Sequence, residues 1–389
     1  MPRRPPSDPP RDALIITAPG LESVARRELA ALGVSATSAE PGAVEARLTA
    51  RDVMRANLHL RTVSRVIVRL AEFKALTFAD VEKHGKRVAW ETVVTAGRRV
   101  RFRVTCRKSR LYHSGAVAER LMNALVQQIP SVVLEGAVDA DEHDGGDEQL
   151  FIVRLFRDQL VLSADTSGEL LHRRGYRQAT AKAPLRETLA AAMLLGAEWN
   201  GGAPLADPFC GSGTIPIEAA MIARRIAPGR ARSFAFEQWP GHDVALWRAV
   251  RDEAAAAELP HAGTVIIAAD RDTGAVSAAM ANAGRAGVTD DLTIAKQSLS
   301  ALRPPPGRGL LVVNPPYGVR VGKKKPLRNL FAQLGNVARA HAPGWRLAML
   351  SADRDLERHV NLPFREIWKS TNGGIPVRLV IAEVPAHVQ

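Results

Sequence analysis

From Pro204 onward the chain alternates short apolar runs with longer Ala-rich or amphipathic ones. They are Leu205–Asp207, Ile215–Ala227, Thr264–Asp270, Ala275–Ala286, Leu310–Asn314, Leu330–Ala340 and Leu347–Ser351, then a terminal hairpin ending in Val377–Val384. Short apolar runs bounded by turn residues read as buried strands, and the longer runs as helices. Strands alternating with helices predict a mostly parallel, doubly wound α/β sheet with right-handed crossovers. Ligands of such sheets lie outside the carboxyl ends of the strands. That rule singles out two stretches, each directly after a predicted strand.

The first is Leu310 to Val313 followed by Asn314, Pro315, Pro316, Tyr317 and Gly318. Pro316 fixes its own φ and pushes Pro315 toward an extended conformation, so the backbone can neither continue as helix nor bend freely. Neither proline has an N–H to satisfy the nearby carbonyls. Asn314 adds an amide oxygen and Tyr317 a flat ring. A rigid pair of acceptors beside a stacking surface suits an exocyclic amine on a planar base; a Pro-rich turn after a core strand is the plainer reading.

The second runs Asp207-Pro208-Phe209-Cys210-Gly211-Ser212-Gly213-Thr214 into a helix rich in Ala, Ile and Met. Gly211 and Gly213 let the backbone pass close to a ligand. The stretch lacks the Gly-Lys-Ser/Thr of a phosphate loop and the Gly-x-Gly-x-x-Gly spacing of a dinucleotide site. An acid ahead of the glycines fits a cationic ligand better than a pyrophosphate. Cys210 has no His nearby in sequence to activate it and reads as a small packing residue.

The two motifs together resemble class I S-adenosylmethionine-dependent methyltransferases of the amino-methylating kind. Ser167 to Arg177, Ala183 to Glu187, Ile217 to Ala223 and Pro240 to Asp243 narrow the resemblance to the THUMP-domain RNA guanine-N2 methyltransferases. The resemblance implies a Rossmann-like methyltransferase domain over 185–389, a linker over 167–184, a THUMP RNA-binding domain over 64–166 and a ferredoxin-like domain over 13–63. Residues 1–12, with five prolines, read as a disordered leader.

It also implies S-adenosylmethionine as cofactor, held by Asp207 to Thr214, by Asp270 and Arg271, by Ser298 and by Asn314. Asp270 ends a predicted strand, where an acid accepts from ribose hydroxyls; Asp272 is the alternative, or a helix cap. Members of the family usually carry an acid where this chain has Ser298, which can accept a hydrogen bond but brings no charge. Asn314, Pro315, Pro316 and Tyr317 form the expected catalytic motif. The Asn314 amide and the Pro315 carbonyl accept from the target amine while the Tyr317 ring stacks on the base. No metal site is expected, since Cys106 and Cys210 are the only cysteines and lie far apart.

Lys and Arg outnumber Asp and Glu, 53 to 40, for a formal net charge of +13, a balance that favours a polyanion. The segment from Arg98 to Arg110 holds Arg98, Arg99, Arg101, Arg103, Arg107, Lys108 and Arg110 with no acid. Such charges repel unless solvated or placed opposite phosphates. Arg173, Arg174 and Arg177 in the linker and Lys323, Lys324 and Lys325 after the second motif are further candidates for phosphate. The acid-rich run from Glu135 to Glu148 lacks the spacing of a calcium loop and reads as a flexible surface loop.

The expected partner is structured RNA, ribosomal or transfer, with an unpaired or flipped guanosine. DNA or protein-glutamine methylation and a non-catalytic RNA-binding role are the competing readings. No apolar stretch is long enough to span a bilayer, and a cytoplasmic monomer is expected.

Overall fold

The computed structural model describes residues 9–138, 146–178, 185–317 and 324–386. They form two compact units. One holds the residues up to Thr17, Arg26–Leu171 and Arg232–Asp252; the other holds Ala18–Ala25, His172–Ala231 and Glu253 onward. The chain therefore passes between units more often than a linear succession of domains provides.

In the first unit the strands are β1 (Arg11–Thr17), β2 (Ala36–Glu40), β3 (Ala43–Leu48), β4 (Val63–Lys74), β5 (Arg99–Arg107), β6 (Val133–Val138), β7 (Gln149–Phe156) and β8 (Gln159–Asp165). The helices are α1 (Glu22–Ala31), whose first residues belong to the other unit, α2 (Ala50–His59), α3 (Phe78–Gly85) and α4 (Ser114–Gln128). The strands make one sheet in the order β2-β3-β1-β4-β8-β7-β5-β6. β4 is twelve residues long and pairs with β1 on one side and β8 on the other, both antiparallel. The boundary expected between Val63 and Ser64 thus falls inside β4, within a continuous sheet.

Local signals account for much of this. Thr49 and Asp52 close a capping box on α2, as Thr77 and Asp80 do on α3. Arg157 and Asp158 both take positive φ, 49° and 63°, in the two-residue turn joining β7 to β8. The fully buried Trp90 meets Phe102 and Phe151 edge-on, with ring centroids 6.1 and 5.0 Å away.

Two strands carry no such signal. β2 shows no alternation of buried and exposed residues. β6 takes up Glu135, the start of the expected acidic loop, and pairs parallel to β5; residues 139–145 of that loop lie outside the described residues. At the N-terminus, Arg11 and Asp12 belong to β1 rather than to the expected leader, and residues 1–8 lie outside the description.

A buried ion pair ties β4 to the end of β8. Arg65 binds Asp165 and donates to the Gly168 carbonyl, while the Ser167 and Gly168 N–H groups donate to the same carboxylate. Their side chains are 3% and 0% exposed. Removing one partner of such a pair leaves a buried charge uncompensated. Asp165→Ala should therefore cost about 3–5 kcal/mol, read as a lower midpoint in urea unfolding.

The second unit contains α5 (Glu187–Gly196), β9 (Leu205–Asp207), α6 (Thr214–Ala223), the end of α7 (Val244–Ala256), β10 (Ile266–Asp270), α8 (Thr273–Ala286) and β11 (Thr293–Lys296). After these come β12 (Leu310–Val313), α9 (Lys324–His341), β13 (Arg346–Ser351), α10 (Arg354–Arg358), β14 (Arg365–Asn372) and β15 (Ile375–Glu383). The sheet order is β11-β10-β9-β12-β13-β15-β14. β11 through β13 run parallel, and β15 is antiparallel to both β13 and β14. This is the doubly wound sheet expected from the alternation, and strand order reverses between β9 and β12.

Candidate functional site

β9 pairs with β10 and β12 at once. Leu205 and Ala206 are in register with Ile266 and Ile267 on one side and with Leu310 and Leu311 on the other. Asp207 ends β9, Asp270 ends β10 and Asn314 follows β12, so all three emerge at one edge of the sheet. This edge is the crevice at a topological switch point.

Asp207 is only 1% exposed. Its Oδ1 accepts the Phe209 N–H at 3.0 Å. Its Oδ2 is buried with no hydrogen-bond partner among the described residues. Burial pushes the carboxyl up to about 8; the Phe209 N–H pulls the other way and the Asp270 charge adds to the rise. The loop beyond turns through Gly211, at φ 52°, and Gly213, at φ 85°. A Cβ on Gly213 would stand 3.0 Å from the Ala279 Cβ, whereas one on Gly211 would meet nothing within 4 Å. Gly213 is thus held against α8 while Gly211 faces open space. Burial raises the Cys210 thiol far above its ordinary range, which removes it as a nucleophile.

Asp270 fastens this loop. Its Oδ2 accepts the Gly211 N–H at 3.0 Å and its Oδ1 the Asp272 N–H at 2.9 Å. Asp272 instead caps α8, accepting the Ala275 N–H at 2.8 Å. Arg271 and Ser298 are exposed. The Ser298 Oγ lies 3.0 Å from the Ser300 Oγ, and Gln297 N–H bonds the Asp270 carbonyl at 2.9 Å.

At the second motif Pro315 is buried, Pro316 exposed, and Asn314 and Tyr317 half-buried. The Tyr317 hydroxyl donates to Asn314 Oδ1 at 2.6 Å, and Asn372 Nδ2 donates to the Tyr317 oxygen at 3.1 Å. Burial pushes this hydroxyl up to about 12, so it remains a donor. Tyr317, expected as a stacking ring, therefore also orients Asn314, through a strand (β14) that the sequence does not connect with the motif. Residues 318–323, Lys323 among them, and the side chains of Lys324 and Lys325 lie outside the described residues.

The basic candidates divide. Arg98 lies 3.4 Å from Asp147, and Arg99 is 3.4 Å from Glu135. Arg101 reaches Glu148 at 3.0 Å and Glu135 at 3.6 Å. The expected bare cationic face of β5 is thus matched over its first half by Glu135 of β6 and by Asp147 and Glu148 just ahead of β7. Arg103 is half-buried, whereas Arg107 and Lys108 are exposed. In the linker segment Arg174 is buried, 3.5 Å from Glu218, and Arg177 bonds Glu187 at 3.0 Å and the Leu185 carbonyl at 2.7 Å. Both are tied into the fold rather than presented to phosphate; Arg173 is exposed.

A buried polar chain escaped the sequence reading. Asn282, 0% exposed, donates to the Ser212 carbonyl at 2.9 Å and is held by Arg285. Arg285 also donates to the Tyr176 carbonyl at 2.7 Å, and the Tyr176 hydroxyl to Glu218 at 3.1 Å. The only hint in the sequence is an Asn on the buried face of an Ala-rich helix.

Strand order, a glycine turn after the first strand of the parallel half and the meeting of Asp207, Asp270 and Asn314 at the switch point define a class I methyltransferase domain. Residues 174–380 match the family described as RMKL-like, methyltransferase domain, and residues 12–67 match the RlmL ferredoxin-like domain. The chain belongs to this RMKL-like methyltransferase family. It is 32% identical to slr0064 of Synechocystis, a candidate RNA methyltransferase by name, over 94% of each chain. It is 36% identical to the ribosomal RNA large subunit methyltransferase K/L of Syntrophotalea carbinolica over 94% of this chain and 52% of that one. The chain therefore spans about half the length of the K/L enzymes it matches. Among solved structures, the candidate methyltransferase SMU.472, complexed with SAH, superposes with a TM-score of 0.86 at 29% identity, over 98% of this chain and 100% of that one.

Asp207 generates a test. Its raised carboxyl means that the folded protein keeps a proton the unfolded chain has already lost, so stability falls as pH rises from about 4 through about 8. Asp207→Asn should remove that fall and leave the ligand-free variant more stable than the parent above pH 8. Urea midpoints measured across the range check it; coincident curves would contradict the assignment.

Proposed function

We propose that the chain transfers a methyl group from S-adenosylmethionine to the exocyclic N2 amine of a guanosine in structured RNA, with large-subunit ribosomal RNA favoured and transfer RNA next. The observation that carries the proposal is the orphaned Asp207 Oδ2 at the same sheet edge as Asn314. A buried carboxylate oxygen without a donor fits the ammonium end of the cofactor. Asp270, already fixed by two N–H groups, fits its ribose hydroxyls, and the open face of Gly211 lets backbone and cofactor approach.

The cofactor brings an activated methyl on a sulfonium, and displacement requires amine, methyl and sulfur in line. Asn314 Oδ1 and the Pro315 carbonyl accept the two amine hydrogens, which localises the nitrogen lone pair and stabilises the charge developing there. Tyr317 holds the Asn314 oxygen in place from one side and leaves its other lone pair for the substrate. No strong base is needed, because the methylated amine is acidic until it loses its proton. The target guanosine must be unpaired or flipped out to reach this edge. A cytoplasmic monomer suits this chemistry, which needs neither a second subunit nor a membrane.

Asn314→Ala should lower kcat by about 10²–10³ with little change in SAH affinity, and Tyr317→Phe should lower it by less. Mass-spectrometric mapping of methylated nucleosides in RNA from a deletion strain tests the substrate. An N2-methylguanosine that is lost, then restored by the parent but not by Asn314→Ala, supports the proposal; loss of an adenine or cytosine mark instead overturns the guanine assignment. Because Asp207 must ionise to meet an ammonium, SAH affinity should rise with pH, approaching tenfold per unit below about 8. Calorimetry on the parent should show this rise and on Asp207→Asn should not.

A further inference from the structure

The cations of β5 are not alike. Arg98, just ahead of it, and Arg99 and Arg101 in its first half lie within salt-bridge reach of Asp147, Glu135 and Glu148. At its last residue and just beyond, Arg107, Lys108 and Arg110 are exposed, and none has a carboxylate partner among the described residues. Tyr112 stands in the same loop and is 71% exposed. Its ring lies 4.1 Å from that of His113, also exposed, at 42°.

This loop is built rather than loose. Lys108 takes a positive φ of 49°. The Arg110 N–H donates to Asp158 at 2.7 Å, the Asp158 N–H to Ser109 Oγ at 3.0 Å, and Ser109 Oγ to the Arg107 carbonyl at 3.0 Å. Leu111 is buried beneath it. The same bonds bring up the β7–β8 turn, where exposed Arg157 lies over the Phe156 ring at 5.3 Å. The helix that follows, α4, has no acid in its first turn to compete for an anion's place.

Two adjoining exposed rings beside four exposed cations offer one ligand a flat face and positive charge together. We propose that Tyr112, backed by His113, is a stacking platform for an unpaired RNA nucleotide, with Arg107, Lys108, Arg110 and Arg157 meeting the flanking phosphates. The flat ring takes any base, and the cations take the backbone. This names a contact for the RNA of the proposed function and rests on that reading. It also moves the RNA contact from the face of β5, where the arginines are already matched, to its carboxyl end.

The test uses the full chain and two fluorescein-labelled RNA hairpins, one with an unpaired tail and one blunt, followed by anisotropy. Tyr112→Ala should weaken binding of the tailed hairpin about tenfold and leave the blunt one unchanged, with Tyr112→Phe close to the parent. Lys108→Ala and Arg110→Ala should weaken both hairpins and each flatten the salt dependence by about one unit of slope. Equal loss on both hairpins from Tyr112→Ala, or no loss on either, overturns the platform. If Tyr112→Ala fails to fold, a Tyr112→Leu variant that binds the tailed hairpin as well as Tyr112→Phe does the same. Methyl transfer from labelled cofactor, measured in parallel, separates the two readings. Transfer that persists with unchanged tail binding in Tyr112→Ala sinks the platform alone; tail binding without any transfer sinks the enzyme reading alone.

Discussion

β9 is three residues long and entirely buried, yet it pairs with a strand on each side. Everything at the candidate site depends on that double pairing. It sets Asp207 between Asp270 and Asn314, and it aligns the glycine loop with the Asn-Pro-Pro-Tyr turn across the reversal of strand order. The price of the position is desolvation. A carboxyl with one partner in so dry a place holds its proton to about pH 8, so the ligand-free protein carries a group that is stable only when neutral or when a cation arrives. Burial also raises the carboxyls of Asp165 and Glu187, but each of those has an arginine beside it, as Asp207 does not.

The supports around this pair are polar and come from far along the chain. Asp270 ties Gly211, Asn282 ties Ser212, and Tyr317 ties Asn314 while Asn372 ties Tyr317. A loop that approaches a ligand through its backbone has no side chains of its own to fix it. Bonds from neighbouring elements supply that fixing, and leaving any of their buried partners unsatisfied would cost about 1–3 kcal/mol.

Charge distribution gives the second theme. A net charge of +13 says that a polyanion is favoured, but not where it binds. In the first unit the acids at Glu135, Asp147 and Glu148 fold against the arginines of β5, so the densest basic segment in the sequence is half neutralised. In the second, Arg174 and Arg177 turn inward to Glu218 and Glu187. Long side chains can reach carboxylates that sequence distance hides.

The sequence by itself determined the periodic elements and the two motifs. Alternation of apolar and polar residues and the glycines at 211 and 213 are local, and local chemistry fixes local conformation. It also left open whether Asp270 or Asp272 meets the ribose. Only the tertiary structure decided that Asp272 caps α8 while Asp270 holds the loop, that β2 and β6 exist, that Arg232–Asp252 packs with the first unit, and which cations meet acids among the described residues. Those outcomes depend on pairings between residues tens to hundreds of positions apart. Backbone hydrogen bonds and ion pairs of that kind leave no periodic trace, because either partner would look the same in the sequence if the other were elsewhere.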